Sequence, residues 1–136
     1  MGDPSRHVEG CAACRAVQRY VTDVLGRGDV GAISELFRAD YRDHTAPPGS
    51  SPGVQGVHQM LADLGEGLDH TAFHIERLFC DGDTVAYRVY ATGTRSSWTR
   101  AGVLRPGVVV GQVVGMFRIE DGLLCEHWGR WALEQM

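Results

Sequence analysis

Aromatic residues make up only 8% of this 136-residue chain, and neither sign of charge dominates: 13 Lys and Arg against 17 Asp and Glu give a net charge of −4. The basic residues form no cluster, which argues against nucleic acid as a partner. No window reaches the roughly 20 apolar residues that cross a bilayer. The first ten residues, MGDPSRHVEG, also lack the apolar run of a signal peptide. The expectation is a cytoplasmic protein with no membrane partner. A Ser-His-Asp order, a nucleophile elbow, a P-loop, a Rossmann glycine fingerprint and an HExxH helix are missing as well. Covalent catalysis and nucleotide cofactors are thereby disfavoured, which leaves proton transfer with no cofactor.

Cysteine is scarce, with four in all: Cys11, Cys14, Cys80 and Cys125. In a reducing compartment they read as free thiols. The pair Cys11-Ala-Ala-Cys14, with His7 upstream, has no second half-site to complete a tetrahedral zinc set, so no metal is expected.

What is present fits one ordinary globular domain over residues 1–136, with residues 1–9 a flexible N-terminal segment. The chain is 43% apolar and 22% charged, enough to close a core around a small cavity. Its 18 glycines are unusual and call for turns, bulges or close backbone approaches.

Apolar positions at helical spacing predict a first helix from about Glu9 to Leu25, ended by Gly26 to Gly28. Asp29 is a plausible N-cap for a short second helix carrying Val30, Ile33, Leu36 and Phe37, after which Ala39 to His44 is extended. A Pro/Gly loop follows over 45–53, then a third helix from about Val54 to Leu64, stopped by Gly65 and Gly67. From there the period becomes that of strands: Phe73 to Phe79, Thr84 to Gly93, Val108 to Ile119 and Leu123 to Trp131, with Asp-Gly turns at 81–83 and 120–122. A polar connection around Trp98 links the middle two. Helices first and an antiparallel sheet after them indicate an α+β fold.

A two-residue loop at Asp121-Gly122 would set Ile119 opposite Leu124, Phe117 opposite Glu126 and Gly115 opposite Trp128. Glu126 and Trp128 would then share the face toward an apolar cavity, while His127 and Trp131 would lie on the other face, His127 pointing into structure or a dimer interface.

The residues Tyr41-Arg-Asp-His44, Pro47-Pro-Gly49, Pro52-Gly53, Gly56, Val85-Ala-Tyr-Arg88, Gly93-Thr94 and Asp121-Gly-Leu-Leu-Cys-Glu-His-Trp128 resemble the SnoaL-like polyketide cyclases of the nuclear transport factor 2-like superfamily. The resemblance spans about residues 15 to 131. It implies a cone in which a strongly curved antiparallel sheet wraps three helices around a ligand pocket, and a homodimer through the outer sheet face. Relatives include polyketide cyclases, epoxide hydrolases, ketosteroid isomerases and proteins without catalysis, so the fold does not settle the chemistry. Two positions depart from the family's pattern: Ala132 stands where many members carry an aspartate, and Arg95 where a histidine is frequent.

The candidate catalytic residues are Glu126, His44 and Asp43. A carboxylate in an apolar cavity has a raised pKa and can exchange protons near neutral pH; the competing account makes Glu126 a salt-bridge partner of Arg88 or Arg118. The resemblance puts the Asp43-His44 pair at the pocket, where a histidine can polarise a carbonyl; otherwise His44 merely pins the loop. Arg88 and Tyr90 share a strand face and could bind an oxyanion, or serve as a salt-bridge partner and a packed aromatic. Tyr41, Phe117, Trp128, His74 and Trp98 are expected as wall or rim, with packing the alternative for each. The combined expectation is a cyclase or isomerase of specialised, antibiotic-type metabolism. It would work without cofactor by acid/base catalysis and substrate folding on a hydrophobic, polyketide-like carbonyl metabolite. An epoxide-opening hydrolase and a non-catalytic binding module are the alternatives.

Overall fold

The computed structural model describes residues 11–67, 69–94 and 108–135. The flexible segment expected at 1–9, Trp98 and Arg95 lie outside the described residues. Helix α1 (Ala12–Arg19) runs on into a π-helical stretch, Tyr20–Gly26, and the two bury Cys14, Ala16, Val17, Tyr20, Val21, Val24 and Leu25 as one continuous apolar stripe. Gly28, at φ +66°, turns the chain where a side chain would be strained. Helix α2 (Val30–Leu36) follows, and its cap is the one expected: the Asp29 carboxylate accepts from the Ala32 amide at 3.3 Å. Asp29→Ala is expected to lower stability by about 1 kcal/mol in chemical denaturation. Within α2 the buried face is Ala32, Ile33 and Leu36, whereas Val30 is exposed.

Strand β1 (Phe37–Asp43) leads into the Pro/Gly loop and helix α3 (Val54–Gly67), then β2 (Asp69–Asp81), β3 (Thr84–Thr94), β4 (Val108–Glu120) and β5 (Leu123–Gln135). The five strands form one curved, open sheet in the order β1-β5-β4-β3-β2. The antiparallel meander β2 to β5 is as the sequence indicates. Strand β1, read there only as an extended segment, joins parallel to β5 and makes the sheet mixed. The last hairpin turns on Asp121 and Gly122, both at positive φ (53° and 77°), as a two-residue turn of matched twist requires. The inner face carries Val85, Tyr87, Val89, Val113, Phe117 and Ile119, packed beneath the helices with Ile33, Leu36 and Phe37.

Of the three expected pairs of that hairpin, the one next to the turn holds and the other two fail. Ile119 is opposite Leu124, but Arg118 is opposite Glu126, Phe117 opposite His127 and Gly115 opposite Gly129. Cys125 is the extra residue of a β-bulge: it is buried beside the equally buried Leu124, and its thiol donates to the Arg118 carbonyl at 3.1 Å. Because strand side chains alternate, one inserted residue moves every later side chain to the other face. His127 and Trp131 therefore turn inward, and Glu126 and Trp128 outward, the reverse of the expectation. The crossing is tight at Gly115 and Gly129, since a Cβ on Gly129 would lie 2.8 Å from the Gly115 Cα and 3.4 Å from His127 Nε2. Only bare backbone fits there.

The cysteines also differ from the expected four free thiols. Cys11 and Cys80 are joined by a disulfide across 69 residues, tying the start of α1 to the end of β2, while Cys14 and Cys125 are free and buried. No described helix is long and apolar enough to cross a membrane.

Candidate active site

A cavity of about 1350 Å³ opens between β1, the Pro/Gly loop, α3 and the end of β5. Its lining includes Tyr20, Tyr41, Val57, Met60 and Trp131, with Asp43 in the wall. The local sequence explains this composition. Phe37, Tyr41 and Asp43 alternate inward along β1, and the chain then leaves the sheet because prolines 47, 48 and 52 cannot extend a ladder. The positive φ of Gly49 and Gly53 folds the loop over the cavity.

Asp43 is held from three sides. Its Oδ1 accepts from the Thr45 amide at 3.0 Å and lies 3.2 Å from the Thr45 hydroxyl. That hydroxyl is fixed in turn by the Gly129 amide and carbonyl at 2.7 and 2.8 Å. Behind the carboxylate is His127, only 8% exposed, whose Nδ1 lies 3.1 Å from Asp43 Oδ1. The N–H direction is out of line for a formed hydrogen bond, and among the described residues Nδ1 has no other partner. The far side of the ring is 2.5 Å from the Tyr87 hydroxyl. With a proton on Nδ1 facing Asp43, Nε2 accepts from Tyr87, and the row runs Tyr87, His127, Asp43, cavity. Phe117 holds the imidazole from below, its ring centroid 4.5 Å away.

Burial alone would raise the Asp43 carboxyl pKa, but His127 and the Thr45 donors more than reverse it, leaving it below its ordinary 3.8. A carboxyl whose folded pKa is depressed adds stability that is present above its unfolded value, near 3.8, and is lost as pH falls through the lower folded value. The contribution of Asp43 should therefore disappear only below about pH 4, measurable as a fall in thermal midpoint that Asp43→Asn abolishes. The phenols of Tyr20 and Tyr41 move the opposite way: burial, with Asp43 nearby, pushes both well above the ordinary 10, so they stay protonated donors. The described partner of the Tyr20 hydroxyl is the Met60 sulfur at 3.9 Å, a weak acceptor.

The expected site residues divide between the two faces of the sheet. Asp43, Tyr41 and Phe117 are on the inner side, with Asp43 and Tyr41 in the cavity wall and Phe117 in the core beneath. Glu126, His44, Trp128, Arg88, Tyr90 and His74 do not line the cavity. Glu126 is bound by Arg118 at 2.9 Å and lies 3.6 Å from His44 Nε2. Arg118 is the main reason its pKa is lowered rather than raised. His44 stacks on Trp128 at 4.7 Å, Arg88 pairs with Glu76 at 2.9 Å, and Tyr90 stacks on His74 at 4.8 Å. The salt-bridge account of Glu126 thus describes the geometry, with Arg118 as partner. Glu126→Gln is expected to leave the thermal midpoint nearly unchanged, since solvent screens such a pair, and to leave turnover within a few-fold of the parent. His127, Tyr87 and Tyr20 join the site instead. The available signal for His127 was the spacing of Gly115 and Gly129, whose close approach requires the bulged register.

The family model that matches describes a SnoaL-like domain and covers residues 17–127. The chain belongs to the SnoaL-like family. No curated protein sequence matches it. Among solved structures the SnoaL-like chain resembles TsrD from Streptomyces laurentii, at 17% identity with TM-score 0.74 over 88% of this chain and 87% of that one. It also resembles IdmH from Streptomyces antibioticus, described as a candidate polyketide cyclase, at 20% identity and TM-score 0.77 over 88% and 91%. A third neighbour is an M. tuberculosis LEH-like epoxide hydrolase, at 19% identity and TM-score 0.63 over 89% and 83%. At these identities the likeness establishes the shared fold. In this SnoaL-like chain Ala132, at the position where many members carry an aspartate, is exposed, pairs with Gln112, and is not part of the cavity lining.

Proposed function

We propose that this SnoaL-like protein is a cofactor-independent cyclase or isomerase acting on a hydrophobic, carbonyl-bearing, polyketide-like metabolite. The observation that carries the reading is Asp43, an ionised carboxylate in the wall of a mostly apolar cavity, backed by a buried histidine. In this role Asp43 takes a proton from the carbon beside the substrate carbonyl. Tyr20 and Tyr41, which stay protonated, donate hydrogen bonds to the oxygen as negative charge develops on it. His127 keeps Asp43 oriented and compensates the charge change as the proton arrives and leaves. The cavity shape folds the substrate so that the activated carbon meets its electrophile, which lowers the barrier through positioning.

A pair of assays tests this. Flexible poly-β-ketone esters and simple ketosteroids incubated with the protein should yield products of unchanged mass, and the same reactions run in ¹⁸O-labelled water should carry no label into a new hydroxyl. Gain of one labelled water would contradict the reading in favour of epoxide or ester hydrolysis. Complete inactivity alongside tight binding would contradict it in favour of a binding module.

The same reading includes a homodimer through the outer sheet face, supported by an apolar row across four strands. Phe79 is opposite Ala86, Ala86 opposite Met116 and Met116 opposite Trp128, and Phe79 and Met116 are 50% and 42% exposed. Sedimentation at micromolar concentration should give twice the 14.9 kDa chain mass. A monomer under those conditions would remove the dimer from the account.

A further inference from the structure

Outside the cavity lining, three of the four cysteines meet. Cys11 is the residue capping α1, Cys14 lies in its first turn, and Cys80 is at the end of β2. Their sulfurs lie within 4.8 Å of one another. Cys11 and Cys80 are bridged and partly exposed, whereas Cys14 is fully buried beside them with a free thiol. The Cys14 amide donates to the Cys11 carbonyl at 3.1 Å, so the CxxC pair is already wound into a helical turn. Residues three apart in such a turn have Cβ atoms about 5–6 Å apart, wider than the roughly 3.5–4.5 Å of a disulfide, so closing this pair takes a small backbone shift in the first turn. With its sulfur within 4.8 Å of both others, Cys11 has two partners to choose between.

We propose that Cys11, Cys14 and Cys80 form a thiol–disulfide exchange site in which Cys11 bridges either to Cys80, stapling α1 to β2, or to Cys14, closing the CxxC pair and freeing the strand. In the exchange the start of α1 loosens enough to admit water, Cys14 gives its proton to that water, and its thiolate attacks the Cys11 sulfur. The Cys11–Cys80 bond breaks, and Cys80 leaves as a thiolate that takes up a proton. One S–S bond forms as one breaks, so no oxidant or reductant is consumed. The Cys11–Cys80 staple is the resting state, and burial of the Cys14 thiol, which raises its pKa, slows the exchange. Small external thiols reach the same end through the partly exposed Cys11–Cys80 bond.

The staple joins elements that also hold the cavity, since α1 continues directly into Tyr20 in the cavity wall. Exchange at one end of the helix therefore acts on the segment that positions one of the two phenols.

Disulfide mapping tests the proposal. Tryptic cleavage after Arg6, Arg15, Arg77 and Arg88 leaves Cys11 and Cys14 on one peptide, 7–15, and Cys80 on another, 78–88. Full-length protein purified without reductant, incubated with a 1:10 mixture of reduced and oxidised glutathione, then trapped with N-ethylmaleimide in acid, should yield two species. One is 7–15 cross-linked to 78–88; the other is 7–15 closed on itself, two hydrogens lighter than its dithiol. Cys14→Ser should remove the closed peptide and keep the cross-link, and Cys80→Ser should convert the chain to the closed peptide. Recovery of only the cross-linked form from the parent, with Cys11 and Cys14 both alkylated in Cys80→Ser, would overturn the proposal. So would stoichiometric zinc in protein purified without chelator, since three metal-bound thiolates do not exchange disulfides. Circular dichroism of each variant confirms that a fold remains to be mapped.

Discussion

Replacing Asp43 with asparagine is expected to reduce turnover by about 100-fold or more while leaving the protein folded, since general-base catalysis contributes about 10²–10⁴. The substitution is nearly isosteric, and the Thr45 amide can still donate to the remaining carbonyl oxygen. What is lost is the basic lone pair facing the cavity and the negative charge 3.1 Å from His127. Because the Asp43 pKa sits below its ordinary 3.8, parent activity should stay level from neutral pH down to about pH 4 and fall only below it, provided the sheet persists. The falling limb should be missing from whatever residual activity Asp43→Asn retains. Full activity in the variant would return attention to catalysis by cavity shape alone.

The second large effect is on stability. Phe117 is 1% exposed, and its ring meets Tyr20, Tyr87, Phe37 and His127 at centroid distances of 5.3, 5.4, 6.5 and 4.5 Å. It lies where the sheet, the π-helical segment and the Tyr87–His127–Asp43 row converge. Phe117→Ala is expected to cost about 3–5 kcal/mol, from lost burial and from a cavity that the rigid sheet beneath cannot close. In thermal unfolding that corresponds to a fall of about 10 °C or more for a domain of this size. A loss below about 1 kcal/mol would mean that the core does not centre on this ring. Phe117→Leu, which keeps most of the volume, should recover a large part of the stability and so separate packing from any specific aromatic role.

The fold was legible because its signals are local. Asp29 caps α2, the Asp121-Gly122 pair makes the hairpin turn, and the change from helical to alternating periodicity after α3 marks where the sheet starts. The motif resemblance then organises these pieces into one architecture. The site was only half legible. Asp43 and Tyr41 lie in the cavity wall, and the signal for Asp43 was the motif resemblance, which put the Asp43-His44 pair at the pocket. Glu126 and His127 exchanged places because the bulge at Cys125 is set by tertiary packing: a cysteine that can bury its thiol against the Arg118 carbonyl looks like any other strand residue in sequence. Everything beyond the bulge inherited the error, including the outward placement of Trp131 and the inward placement of Trp128. Arg88 and Tyr90 failed for a related reason. Their shared face was correct, but alternation alone does not say which face the helices cover. The staple was missed because a compartment argument was set against a proximity that only the folded chain reveals.

The central claim is that Asp43 moves a proton between substrate carbon and the enzyme inside this cavity. Deuterium wash-in tests it most directly. A β-ketoester or ketosteroid that the protein binds, incubated in deuterium oxide and followed by mass spectrometry and NMR, should gain deuterium at the carbon beside the carbonyl. The gain should require the parent protein, survive in Glu126→Gln, and drop to the uncatalysed rate in Asp43→Asn. Exchange that continues unchanged in Asp43→Asn, or that vanishes in Glu126→Gln, would contradict the account.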